Sequence, residues 1–222
     1  MKYTLLLAMA FAALAFVPQK KKQVIFFGDS ITEAGVKPGG YITLVDSLCK
    51  NEKQDSRFQF TGAGIGGNKV YDLYLRMEED VLKKNPDVVV IYVGVNDVWH
   101  KSSFGTGTDP DKFVKFYQAI INKLKEKNIQ AVLVTPAVIG EKADFSNPQD
   151  GDMNQYSQLI RDLAQKNSLP LVDLRQLFLE YIRKNNPSNQ ERNILTTDRV
   201  HLNQKGNLLV AEAMWKAIKG IN

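Results

Sequence analysis

Five short apolar runs, each stopped by a turn signal, alternate along this chain with stretches in which apolar residues recur every three or four positions. Runs rich in β-branched and aromatic residues read as buried parallel strands, and the wider spacing reads as amphipathic helices. Val24-Ile25-Phe26-Phe27 is the first strand and halts at Gly28-Asp29-Ser30. Gly39-Gly40 breaks the chain, and Tyr41, Leu44, Val45 and Leu48 then mark a helix. Phe58-Gln59-Phe60 is the second strand, followed by the glycine-dense turn Gly62-Ala63-Gly64-Ile65-Gly66-Gly67. A helix from about Asn68 carries Val70, Leu73, Tyr74, Met77 and Val81, and Pro86 ends it. Asp87 to Val93 is apolar almost throughout, which predicts a strand in mid-sheet with both faces covered.

That strand also stops at a glycine, in Gly94-Val95-Asn96-Asp97, and a polar loop through Gly105, Gly107 and Pro110 leads to a helix from Asp111. Ala131 to Val134 is the fourth strand, and the turn-rich stretch from Gly140 to Gly151 reads as a long loop of the kind that carries specificity. A helix through Met153, Tyr156, Ile160 and Leu163 precedes a short last strand, Leu169 to Val172. Leu174, Leu177, Phe178 and Tyr181 make another helix, and Asn203 is the N-cap of a final one after a loop containing Asp198 and His201. Strict alternation of strand and helix predicts an α/β fold, a parallel sheet covered on both faces. No repeat or linker divides residues 23–222, which are expected to form one domain.

The first residues break this pattern. Lys2 is followed by an apolar run from Leu5 to Val17, shorter than the roughly 20 residues that a membrane span requires. With Ala13-Leu14-Ala15 at its end, residues 1–17 read as a secretory signal peptide and the protein as exported, periplasmic or secreted. Lys20-Lys21-Lys22 after the run favours the alternative, an uncleaved N-terminal anchor. The formal net charge of +5 is otherwise scattered, unlike the clustered basic face of a nucleic-acid binder. Cys49 is the only cysteine, so no intrachain disulfide forms, and its apolar setting reads as a buried structural thiol.

Ser30 sits just past the carboxyl end of the first strand, the edge where loops of an open α/β sheet converge on ligands. A serine hydroxyl needs a base, a group to orient the base, and donors for a developing oxyanion. The chain has two histidines, His100 and His201, and His201 follows Asp198 by one turn on a loop. Gly67 and Asn96 follow strands at the same sheet edge as Ser30, where a backbone amide and a side-chain amide complete a donor set with the Ser30 amide. Taken singly, each also reads as an ordinary turn residue, and Asp29 and Asp97 as turn-fixing acids.

As a set, these residues resemble the SGNH hydrolase superfamily, the GDSL-type esterases and lipases. Gly28-Asp29-Ser30-Ile31 is similar to the nucleophile block, Gly64-Ile65-Gly66-Gly67 to the glycine block, Gly94-Val95-Asn96-Asp97 to the G-x-N-D block, and Asp198-Arg199-Val200-His201 to the D-x-x-H block. The resemblance implies a three-layer flavodoxin-like fold whose five-stranded parallel sheet has order 2-1-3-4-5. It also implies Ser30 as nucleophile, His201 as base, Asp198 as its partner, and Ser30, Gly67 and Asn96 around the oxyanion. Ile31 replaces the commonest leucine, and Thr61-Gly62 stands where an asparagine often precedes the glycine block, which changes how that loop must be braced.

The expected function is serine ester hydrolysis through an acyl-enzyme, on short acyl (acetyl) groups of a carbohydrate or other polar alcohol, without metal or cofactor. Lysophospholipase, thioesterase and arylesterase activities are the alternatives within the superfamily. Asp29, Trp99, His100 and Phe145 are candidate substrate contacts, with Phe104 beside them. Gly62 to Gly67 also spells G-x-G-x-x-G, but the acid that should follow at the carboxyl end of the next strand is replaced by Gly94-Val95-Asn96. A non-catalytic sugar binder on the same scaffold is the remaining competitor, and a metal hydrolase would need more histidines than two.

Overall fold

The computed structural model describes residues 20–221; the expected signal peptide over residues 1–17 lies outside them. Five parallel strands form one sheet: β1 (Lys22–Gly28), β2 (Phe58–Gly64), β3 (Val88–Tyr92), β4 (Gln130–Val134) and β5 (Leu171–Val172). Their order is β2-β1-β3-β4-β5, as predicted, with Val24 opposite Val88 and Val90 opposite Val132. All of β3 is buried, in keeping with its uninterrupted apolar run.

Eight α-helices make the crossovers and flanks among the described residues: α1 (Ser30–Gly35), α2 (Tyr41–Asn51), α3 (Val70–Asp80), α4 (Val95–Phe104), α5 (Pro110–Glu126), α6 (Asp150–Asn167), α7 (Leu174–Asn185) and α8 (Gln204–Lys219). Neighbouring side chains on a strand point to opposite faces. Phe26 meets Tyr41 of α2 edge-on, while Phe27 lies under the Arg76 guanidinium of α3. Those two helices therefore cover opposite faces. α8 packs with α2, its Trp215 edge-on to Phe58, and α3, α5 and α6 pack in series. Cys49 is buried against this core, and burial pushes its thiol pKa up. No helix among the described residues is long and apolar enough to cross a membrane.

Three elements depart from the expected outline. β2 continues through Gly62-Ala63-Gly64 instead of turning there. Those glycines give the room in which α1 lies: a Cβ on Gly64 would come within 2.1 Å of the Glu33 amide nitrogen, and one on Gly62 within 2.4 Å of Val36. α1 itself was not predicted, because Ser30–Gly35 is too short to establish a period. The stretch from Trp99 to Pro110, read as loop, is helical as far as Phe104. The buried face of α4 includes Asn96 and Asp97, so its inward stripe is polar and escapes a hydrophobic-period test.

Candidate active site

The apolar burial of β1 delivers Gly28-Asp29-Ser30 to the carboxyl edge of the sheet. Gly28 is required by space: a Cβ there would lie 2.3 Å from both Thr32 Oγ1 and the Tyr92 carbonyl oxygen. Asp29 is the N-cap of α1, its carboxylate accepting the Ile31 amide at 3.0 Å, so Ser30 is the first residue of the helix. Only 1% of Asp29 is exposed. Burial raises its pKa to about 7, opposed by the Ile31 amide and reinforced by the nearby Asp97. Asp29, a candidate substrate contact by sequence, thus faces inward and caps the helix.

Ser30 Oγ lies 3.0 Å from His201 Nε2, and His201 Nδ1 lies 2.7 Å from Asp198 Oδ2. The other oxygen of Asp198 accepts the backbone amides of His201 at 2.8 Å and Val200 at 3.1 Å. Partial burial pushes the Asp198 carboxyl up, but the hydrogen bonds from the His201 backbone and ring and from Val200 outweigh it, and the net shift is downward. A carboxylate at Nδ1 selects the tautomer with its proton on that nitrogen, and in that tautomer the Nε2 lone pair faces the serine hydroxyl.

The glycine loop closes the other side. Gly67 adopts a positive φ of 76°, and the Cβ direction of Gly66 points to within 4.0 Å of Ser30 Cβ. Asn96 lies in the first turn of α4, 2% exposed, and its Nδ2 donates one hydrogen bond of 3.1 Å to the Asn68 carbonyl, which ties α4 to this loop. Its second N–H has no part in that bond. Asp97 accepts the Val70 amide and so fixes the start of α3 beside α4. Arg76 supplies the brace left in question by Thr61-Gly62: it donates to the carbonyls of Gly28 at 2.7 Å and Ala63 at 3.1 Å, and to Asn68 Oδ1 at 2.7 Å. One guanidinium thus joins the ends of β1 and β2 to the glycine loop.

A serine, an imidazole and a carboxylate in hydrogen-bonded sequence can transfer an acyl group. The profile of the GDSL-like lipase/acylhydrolase family matches residues 26–209, which contain Ser30, Gly67, Asn96, Asp198 and His201. The chain belongs to that family. This family member is a carboxylic ester hydrolase. A crystal structure of the acetyl xylan esterase AlAXEase superposes with a TM-score of 0.87 at 64% identity, over 88% of this chain and 99% of that one. An acetylxylan esterase of Geobacillus stearothermophilus is 28% identical over 212 residues, 89% of this chain and 94% of its own. A catalytic aspartate-to-alanine mutant of the acetylxylan esterase Axe2 from the same organism superposes with a TM-score of 0.79 at 26% identity, covering 90% of this chain and 95% of that one.

The remaining candidates in this GDSL-like hydrolase take different places. His100 stands beside the glycine loop, its Cε1 3.8 Å from the Cβ position of Gly67, and burial and Lys69 lower its pKa. Phe104 is 69% exposed and sets its ring edge-on to His100 with centroids 4.8 Å apart. Asn96, His100 and Phe104 follow one another at helical four-residue steps along α4. Trp99 packs against the core and is half-buried. Phe145 is exposed on the loop after Gly140, in a left-handed conformation with φ 62°. Among the described residues no group of three or more His, Cys, Asp or Glu side chains could hold a metal. The sequence pattern gave no sign of Arg76, which is polar on an amphipathic helix, or of Glu141, a loop acid whose carboxylate is entirely buried.

Proposed function

We propose that this esterase removes acetyl groups from a carbohydrate, with Ser30 as nucleophile, His201 as general base and acid, and Asp198 as the group that orients the imidazole and stabilises its charge. The observation that carries the reading is the unbroken line of hydrogen bonds from Ser30 Oγ through His201 to Asp198. As Ser30 Oγ bonds to the ester carbonyl carbon, its proton passes to Nε2. The Ser30 and Gly67 amides and the free N–H of Asn96 are the oxyanion donors, aimed at charge that exists only in the tetrahedral state. Collapse of that state breaks the bond between the carbonyl carbon and the sugar oxygen, and His201 returns the proton to that oxygen. Water, deprotonated by the same nitrogen, then cleaves the acyl-enzyme and releases acetate.

The relatives support the substrate class. Two are acetyl xylan esterases across nearly their whole length. In Axe2, catalytic mutants replace a serine, an aspartate and a histidine, and that aspartate and histidine are three residues apart, as Asp198 and His201 are here. The face of α4 fits a sugar as well: His100 flanks the donor loop, and the exposed ring of Phe104 one turn on offers an apolar surface for a pyranose. Residues 23–222 form the hydrolase domain in this reading, and residues 1–17 direct export to where acetylated polysaccharide is found.

Acetate release from acetylated xylooligosaccharides, compared with turnover of aryl esters of increasing acyl length, tests the proposal. Acetyl esters are expected to be the best substrates, with Ser30→Ala and His201→Ala folded and inactive. Unchanged activity in either variant would refute the assignment of those residues, and faster turnover of long-chain esters would refute the substrate class.

A further inference from the structure

Asp198 and His201 lie on an irregular segment, not on a strand or helix, so something else must hold them to the accuracy that proton transfer demands. The segment before them is gripped by one side chain. Glu141, from the loop after β4, is fully buried, and its carboxylate accepts three consecutive backbone amides: Ile194 at 2.8 Å, Leu195 at 2.7 Å and Thr196 at 2.8 Å. Its own amide donates to the Glu191 carbonyl at 3.0 Å, and its carbonyl accepts Asn186 Nδ2 at 2.6 Å. Next to it, the Gly140 amide donates at 2.9 Å to the carbonyl of Arg199, which follows Asp198 directly and is held at φ 88°.

The gripped amides connect directly to the acid and the imidazole. Thr196 pairs with Leu202 in an isolated antiparallel bridge, the Leu195 carbonyl accepts the Asn203 amide at 2.9 Å, and the Thr197 amide donates to the His201 carbonyl at 2.8 Å. Asp198 to His201 is thus the closed end of a narrow loop whose incoming segment is fixed by Glu141. Three N–H groups converging on one point require a group that only accepts, and a carboxylate provides it. A glutamine of the same shape keeps the oxygen facing Leu195 and Thr196 but sets N–H against N–H at Ile194.

We infer that Glu141 is a positioning residue for the acid and imidazole of the catalytic line, acting through the Ile194 to Thr196 backbone. The inference rests on the roles proposed above for Asp198 and His201. Loss of registry by a fraction of an ångström at His201 reduces turnover without altering how the sugar is bound.

The decisive experiment uses the full chain with Glu141→Gln and Glu141→Ala, assayed with an acetyl ester well below each variant's melting temperature. For Glu141→Gln the expected result is a fall in kcat of about tenfold to a hundredfold with KM little changed. Labelling of Ser30 by a fluorophosphonate should slow in parallel, and the low-field proton resonance of the Asp198–His201 hydrogen bond should weaken. A merely structural role would lower the melting temperature and leave kcat, labelling and resonance of the folded fraction as in the parent, and that result would overturn the inference. If Glu141→Ala does not fold, Glu141→Gln decides alone. Ser30→Ala, measured alongside, separates the two levels: activity surviving there overturns the catalytic assignment itself, whereas its loss with full kcat in Glu141→Gln overturns only the role of Glu141.

Discussion

The two halves of the proposed catalytic line are held by opposite means. Ser30 follows a strand whose last residues are nearly all buried, on a cap that is itself buried, so its position is a by-product of core packing. His201 and Asp198 are partly exposed on an irregular loop, and what fixes them is a set of directional hydrogen bonds reaching back to Glu141, Asn186 and Gly140. Apolar packing is cooperative and non-directional, so damage to it is spread over the whole domain. A polar brace is local, and damage to it appears where it points. Changes on the serine side outside the reacting groups should therefore affect stability, and changes on the histidine side should affect turnover.

The proposed reacting groups set the scale, since both halves are needed there. Ser30→Ala and His201→Ala should each lower kcat by a factor on the order of 10⁶ with circular dichroism unchanged, measured as acetate release by purified variants. Asp198→Asn should cost less, about 10⁴, because the imidazole keeps its place while losing the correct tautomer. Asn96→Ala should reduce kcat by about 10² to 10³ with a smaller change in KM; equal changes in both would mean that Asn96 binds substrate and transition state alike. Ile91→Ala on β3, beneath the serine side, should remove about 2–5 kcal/mol of stability by denaturant titration and leave kcat per folded molecule as in the parent. A large loss of kcat there would erase the contrast between the two halves.

The smallest effect is a pH dependence confined to the serine side. Burial raises both Asp29 and Asp97 to about 7, so the folded protein holds protons that the unfolded chain releases. Stability from these groups is complete below the ordinary carboxylate range and is lost as pH rises through about 7. The melting temperature should fall from about pH 5 to about pH 8, and Asp29→Asn, which can still cap α1, should flatten that slope.

The same contrast explains what was legible in the sequence. The five strands, the central place of β3 and the cap at Asn203 follow from local periodicity and turn chemistry; the four motif blocks are contiguous, so each could be read where it stands, and the strand order came with the family resemblance that they carry. The braces could not. Glu141 grips residues more than 50 positions away, and Arg76 reaches back 48 residues to Gly28; neither pairing leaves a mark on its own segment. The helical course of Val95–Phe104 was missed for a related reason, since the groups that it buries are an amide and a carboxylate. Of the four suggested substrate contacts, His100 is the one that the structure places beside the glycine loop, whereas Asp29 turns into the core.

The glycine at position 64 has a consequence for how this enzyme can vary. It has no side chain to offer, yet a single added methyl would strike the backbone at Thr32 and Glu33 and lever the short helix that begins with Ser30. Saturation mutagenesis scored by activity should therefore find an intolerant site there, set by volume alone.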